Sequence, residues 1–129
     1  MSRQVVTGPD LPPSIGPYSH AVRANGFVFV SGQPGIDPAT GIAGESFGEQ
    51  ARQAFTNLAS VLRAAGSSPQ LVVSTTVLVV DVAYFADLND LFAEFFPSEP
   101  PTRMVMQVPL PRDLLISIGC TAVEAAAQT

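Results

Sequence analysis

The sequence of 129 residues contains no lysine, no tryptophan, one cysteine and one histidine. Its six cations are all arginines, the formal net charge is −5, and the isoelectric point lies near 4.5. Nucleic-acid binding through phosphates needs clustered basic side chains, so this composition argues against it. Cys120 has no partner for an internal disulfide and no Cys or His companion for a metal. We expect Cys120 to be a packing residue and no metal to be bound.

Long hydrophobic runs are also missing. No segment reaches the ~18 apolar residues of a membrane span, and no apolar region typical of a secretory signal follows residues 1–4. We therefore expect a cytoplasmic protein. Charged residues make up only 13% of the chain, below the ~25% of an average soluble protein. This shortage indicates that another copy of the chain covers part of its apolar surface.

The length predicts a single domain spanning 1–129. Residues 4–7 predict a first strand. Asn25-Gly26 predicts a hairpin turn between strands at 19–24 and 27–31, because both residues tolerate positive φ. Further strands are expected at 71–80, 103–108 and 114–123. The Ala-rich tail at 124–129 is expected to fray.

Two helices are predicted between these strands. Ser46 and Glu49 have the spacing of a capping box, and apolar residues then recur at helical spacing as far as Ala65. Gly66 provides a C-terminal stop, since it can adopt a left-handed conformation. A second helix is expected from an Asp81 cap, with an apolar stripe that Pro97 ends.

This order of elements predicts an α+β fold of two layers, with one mixed β-sheet and two helices packed on one face. The other face of the sheet then has no helix to cover it. Strand 71–80 is nevertheless apolar at both alternating sets of positions, which is typical of a strand buried on both faces. We expect further subunits to cover that face.

One arginine stands inside an apolar strand. Arg103 follows Pro100-Pro101 and precedes Pro109, where side chains should be buried. A buried guanidinium without a partner costs several kcal/mol, roughly. Either Arg103 is an edge residue on a half-exposed strand, or an anionic group binds it.

Four short motifs in order resemble the signatures of the RidA/YjgF family, and the resemblance covers about residues 3–123. They are Ile15-Gly16-Pro17-Tyr18-Ser19-His20-Ala21, Val30-Ser31-Gly32-Gln33, Pro101-Thr102-Arg103 and Leu110-Pro111-Arg112-Asp113. The resemblance implies a chorismate-mutase-like fold and a homotrimer with sites between subunits. It also implies hydrolytic deamination of reactive 2-enamines and 2-imines of 2-oxo acids, without a cofactor.

The same resemblance implies roles for individual residues. Arg103 matches a carboxylate-binding arginine, and a planar guanidinium suits a carboxylate because it donates two parallel hydrogen bonds. The other matching positions are a site tyrosine, a site asparagine, and residues whose backbone or side chain faces the ligand: Tyr18, Asn89, Ser31, Gly32 and Val105. From the residues alone, Asn89 is a solvated side chain at the margin of the second helix.

One position departs from the family pattern. Ser117 stands where imine deaminases of this family carry a glutamate that positions the attacking water, and a hydroxyl cannot accept a proton at neutral pH as a carboxylate can. General-base assistance is commonly worth ~10²–10⁴ in rate. With Arg103, Tyr18 and Ser117 as candidate catalytic residues, three interpretations stay open: a deaminase, a carboxylate-binding trimer with little catalysis, and an RNA-cleaving protein.

His20 could act as a base near neutral pH, but we expect it at a surface or interface.

Overall fold

A computed structural model describes residues 2–125 of the chain. In this range six strands and two α-helices follow one another as β1 (Gln4–Val5), β2 (Ala21–Ala24), β3 (Phe27–Pro34), α1 (Phe47–Ala64), β4 (Val72–Val79), α2 (Phe85–Phe95), β5 (Thr102–Gln107) and β6 (Ile116–Val123). The strands form one mixed sheet in the order β1-β2-β3-β6-β4-β5, in which only β4 and β5 pair in parallel. The predicted α+β architecture is confirmed.

The local signals in the sequence act where they were expected. Asn25 and Gly26 have φ angles of 54° and 83° and close the hairpin between β2 and β3. Ser46 caps α1, since its hydroxyl accepts a hydrogen bond from the Glu49 amide at 3.1 Å. The Glu49 carboxylate accepts from the Glu45 amide rather than that of Ser46. Gly66 follows the helix with a φ of 79°.

Several predicted boundaries were wrong. β6 begins at Ile116 rather than at 114, because the Leu115 amide donates to Oε1 of Gln50 instead of joining the ladder. β3 runs on to Pro34 through an irregularity between Val30 and Gln33. Asp81 caps a short 3₁₀ turn, and α2 begins only at Phe85.

The hydrophobic core lies between the sheet and the two helices. On the strands it contains Val28, Val77, Val79, Ile116, Ile118 and Ala122, all fully buried. Among residues 2–125 no helix covers the opposite face of the sheet, as predicted. It presents large apolar side chains, namely Phe27, Phe29, Met104 and Met106, which are 40–60% exposed. We call this the open face.

Beyond β6, Glu124 and Ala125 donate backbone hydrogen bonds to the Gly26 and Gly66 carbonyls at 2.9 and 3.0 Å. The rest of the tail, 126–129, lies outside the described residues. Neither helix of the described part is both long and apolar enough to cross a membrane.

Candidate functional site

Arg103 lies on the helix side of the edge strand β5, where α2 packs against it. Its Nη1 donates to Oδ1 of Asn89 at 2.8 Å. Its guanidinium carbon lies 5.3 Å from the ring centre of Phe85 and 5.0 Å from that of Phe92. Val105 is on the same side of β5 and packs on the core. We call these five residues the Arg103 group.

The guanidinium of Arg103 is held in place by neutral groups. Cation–π contacts of this geometry stabilise a guanidinium by about 0.5–1 kcal/mol at exposed sites and more where water is excluded. Within residues 2–125 there are two ion pairs, Arg23–Glu124 and Arg52–Glu94, and Arg103 belongs to neither. Its one hydrogen bond to a described residue uses Nη1. A half-buried positive charge is thus oriented without a carboxylate against it.

Four other predicted site residues lie in the loop before β2, on β3 and on β6, and we call them the Gly32 group: Tyr18, Ser31, Gly32 and Ser117. Gly32 lies in the irregular part of β3 beside β6, and a Cβ atom there would stand 2.5 Å from Oγ of Ser117. In its present rotamer the Ser117 hydroxyl therefore occupies the space in which a side chain at residue 32 would begin. Ser31 donates from its hydroxyl to the Ser19 carbonyl at 2.6 Å. Tyr18 is exposed, and its hydroxyl accepts from the Ile15 amide at 3.4 Å.

The two groups are separate within one chain. Arg103 and Cys120 both pair with Thr75, whereas Ser117 and Met106 both pair with Leu78. Arg103 shares the helix side of the sheet with the buried Thr75, and Ser117 lies on the open face with Met106. The row of paired residues through Thr75 and the row through Leu78 are three residues apart along the strands, about 10 Å. Strand β4 also separates β5 from β6, so Arg103 and Ser117 of one chain lie on different strands and on opposite faces of the sheet.

Neither group contains a carboxylate. Among residues 2–125, no set of three or more His, Cys, Asp or Glu side chains could hold a metal ion. Cys120 is buried, and its loss of solvation raises its pKa from 9.0 to about 12. Its thiol therefore remains protonated at neutral pH and packs in the core, as the sequence predicts.

Two features of these groups were missed from the sequence. Phe85 and Phe92 lie four residues before and three residues after Asn89, a spacing that places all three on one face of α2. That spacing could have predicted from the sequence that the two phenylalanines accompany Asn89. His20 is not at a surface; it is 7% exposed and bonds to the buried Gln33. No pattern along the chain pairs these two positions, which meet only when β2 and β3 align.

Comparison with known proteins places this geometry in a family. The model of the Endoribonuclease L-PSP family matches residues 9–124. Over 124 residues the chain is 38% identical to Reactive Intermediate Deaminase A, chloroplastic, of Arabidopsis thaliana, covering 95% of this chain and 66% of that protein. It is 37% identical to the 2-iminobutanoate/2-iminopropanoate deaminase of Bos taurus, covering 98% and 94%.

A solved structure agrees with the sequence relatives. The crystal structure of E. coli TdcF with bound serine superposes with a TM-score of 0.89 at 32% identity, covering 95% of this chain and 99% of that one. The family model therefore spans every described helix and strand except β1. The chain belongs to the Endoribonuclease L-PSP family, which is the RidA/YjgF family.

Proposed function

We propose that this protein hydrolyses reactive 2-imines, formed from 2-enamines of 2-oxo acids, to the 2-oxo acid and ammonia. Water oxygen bonds to C2 of the imine, the C–N bond breaks, and the nitrogen leaves as ammonia after taking up protons. The relatives named as deaminases support this reaction class. No cofactor is needed for it, and we propose the cytosol as its compartment.

The observation that carries this proposal is the oriented guanidinium of Arg103. Asn89, Phe85 and Phe92 fix its position, and no carboxylate of residues 2–125 pairs with it. A substrate carboxylate is a suitable partner, because it accepts two charge-assisted hydrogen bonds from one guanidinium. The relative solved with bound serine holds a ligand that carries such a carboxylate.

We further propose that the complete site forms between subunits of a homotrimer. Arg103, Asn89 and Val105 of one chain would face Tyr18, Ser31, Gly32 and Ser117 of the next. The separation of the two groups within one chain supports this arrangement. The open face supports it as well, since exposed Phe29, Met104 and Met106 are costly to leave in water.

The chemistry at Ser117 favours a second candidate, a carboxylate-binding trimer with little catalysis. Ser117 supplies a hydroxyl, which orients water but does not accept its proton at neutral pH. Deamination then depends on orientation and on the charge of Arg103. An RNA-cleaving role is the least supported, because the chain has a net charge of −5 and no lysine.

An ammonia-release assay distinguishes the first two candidates. A 2-imino acid is generated in situ by an amino-acid oxidase, and ammonia is followed with and without the protein. Binding of 2-oxobutanoate is measured in parallel by calorimetry. Acceleration over buffer supports the deaminase, whereas binding without acceleration supports the carboxylate binder. Absence of both would contradict the proposed site, and RNA binding at low salt would favour the third candidate.

Mixing two inactive variants tests whether subunits share the site. Arg103→Ala disables the half of the site that the Arg103 group supplies, and Gly32→Val disables the half that the Gly32 group supplies. A homotrimer of either variant alone should therefore be inactive. Unfolded and refolded together, the two chains form mixed trimers in which some interfaces combine both intact halves. Recovered activity supports the shared site. Activity that stays absent in mixed trimers, verified by mass, would contradict it.

A further inference from the structure

The histidine of this chain is buried next to Tyr18 and Ser31 of the Gly32 group. His20 Nδ1 lies 3.2 Å from Nε2 of Gln33, and its Nε2 lies 3.4 Å from Oγ of Ser14. Its ring meets that of Tyr18 edge-on, with centres 5.7 Å apart and planes at 76°. Both His20 and Gln33 are buried, so water does not readily replace the hydrogen bond between them, whereas Ser14 and Tyr18 are exposed. The ring therefore joins the proline-rich loop before β2 to the irregular part of β3.

The contacts of Gln33 determine the protonation of this ring. Its Nε2 also donates to the Ser31 carbonyl at 3.0 Å. A carbonyl oxygen only accepts, so the amide nitrogen, and not its oxygen, lies on this side. The same nitrogen therefore donates to Nδ1 of His20, which must be unprotonated. His20 is then neutral, with its hydrogen on Nε2 directed at the Ser14 hydroxyl.

This arrangement ties His20 to two residues of the Gly32 group. Tyr18 packs against its ring. Ser31 is held through Gln33, and its own amide donates to the His20 carbonyl at 2.9 Å. With a proton on Nδ1, the His20 N–H and the Gln33 amide N–H would both be donors with no acceptor between them, so the hydrogen bond to Gln33 would break. Of the described residues that hydrogen-bond to the ring or pack edge-on against it, namely Ser14, Gln33 and Tyr18, only Tyr18 is titratable. No carboxylate of residues 2–125 lies within ion-pair distance to stabilise a charged ring.

We propose that neutral His20 is a positioning residue, which sets Tyr18 in place through its ring and Ser31 through Gln33, and which releases them when it is protonated. It does not touch the ligand. The inference rests on the proposed function in one respect only, namely that the Gly32 group forms half of the ligand site. The order of the group in the free protein is a separate property that can be measured without a ligand.

Nuclear magnetic resonance of the free protein tests the structural part. Because the chain has one histidine, its ring nitrogens give a single pair of signals. At pH 8 we expect a bare Nδ1 and a protonated Nε2. As the solution is acidified, the ring signals of Tyr18 should shift together with those of His20, at whatever pH His20 takes up its proton. Tyr84, stacked on Phe47 with centres 4.3 Å apart, is the control that should not follow.

Variants test the link to the ligand. Affinity for 2-oxobutanoate should fall in the wild type as His20 takes up its proton. His20→Gln should remove this fall, because a glutamine offers an acceptor oxygen and a donor nitrogen but does not titrate. His20→Leu should lower affinity about tenfold at every pH, the effect of losing ~1.4 kcal/mol, with the folded state verified by circular dichroism.

Three results would overturn the proposal. The first is a protonated Nδ1 at pH 8, and the second is a set of Tyr18 signals that do not shift with those of His20. The third is a loss of 2-oxobutanoate affinity at acid pH that persists in His20→Gln. If 2-oxobutanoate fails to bind at any pH, the proposed function is contradicted. The nitrogen and tyrosine signals then still decide for or against His20 as a positioning residue.

Discussion

The Arg103 group and the Gly32 group are built in different ways. Side chains of α2 and β5 hold Arg103, through one hydrogen bond and two aromatic rings. The Gly32 group is built from the backbone, since an irregular strand brings Gly32 against the Ser117 hydroxyl. One group carries a positive charge and the other is neutral. Under the proposed function, the first group anchors the substrate carboxylate and the second lines the place where water reacts.

The largest expected effect comes from removing the charge. Arg103→Ala should weaken 2-oxobutanoate binding by about 10²–10⁴, because two charge-assisted hydrogen bonds are each worth ~1.5–3 kcal/mol. Arg103→Lys should recover only part of this, since an ammonium lacks the planar fork. Calorimetry measures both variants. Arg52→Ala is the matched control, because this exposed arginine pairs with Glu94. If Arg103→Ala binds 2-oxobutanoate with wild-type affinity, Arg103 is not part of the ligand site.

Adding an acid to the neutral group should sharpen the contrast. Ser117→Glu should raise the rate of ammonia release by about 10²-fold if the absent base limits turnover. Ser117→Gln has the same size without the charge and serves as the control. Equal rates for the two variants would mean that water activation does not depend on this position.

The close packing of the Gly32 group can be broken directly. Gly32→Ala places a Cβ 2.5 Å from the Ser117 hydroxyl and should cost about 1–3 kcal/mol of unfolding free energy. Ser117→Gly removes that hydroxyl, so the double variant should recover most of the loss. Denaturant unfolding of the four proteins gives the coupling energy. Additive losses would show that the two residues do not interact.

Asn89 should matter less than Arg103. Asn89→Ala removes the 2.8 Å hydrogen bond to Nη1 but leaves both aromatic rings in place. Since Asn89 is exposed, we expect affinity to fall only about 3–10-fold. Thr56→Ala, a comparable exposed change on α1, is the control. A loss as large as that of Arg103→Ala would indicate that Asn89 touches the ligand itself.

The smallest effect is expected at Cys120, which shares a cross-strand row with Arg103. Its pKa is raised by burial from 9.0 to about 12, so iodoacetamide should modify it at pH 8 only after denaturation. The unfolded state loses the thiol proton above pH 9.0 and the folded state does not. Stability should therefore fall as pH rises from 9.0 toward 12. Cys120→Ala should reduce this fall, and rapid alkylation of the native protein would contradict the burial.

Predictability from the sequence differed between the fold and the site. Asn25-Gly26 and Ser46 act through neighbouring backbone, so their short-range signals located a hairpin and a helix start correctly. The start of β6 was wrong because Gln50, 65 residues earlier in sequence, takes the Leu115 amide. The residues of both groups were named from family motifs, but the separation of Arg103 from Ser117 depends on strand register, which no local pattern encodes.

The sequence by itself determined the α+β class, the uncovered face of the sheet and the family, because periodicity, turn chemistry and ordered motifs are properties of neighbouring residues. Only the tertiary structure decided which of these residues meet. It placed Arg103 between Phe85 and Phe92, set Ser117 against Gly32, and buried His20 beside Gln33. Such contacts arise from strand order and helix packing, which join residues distant along the chain.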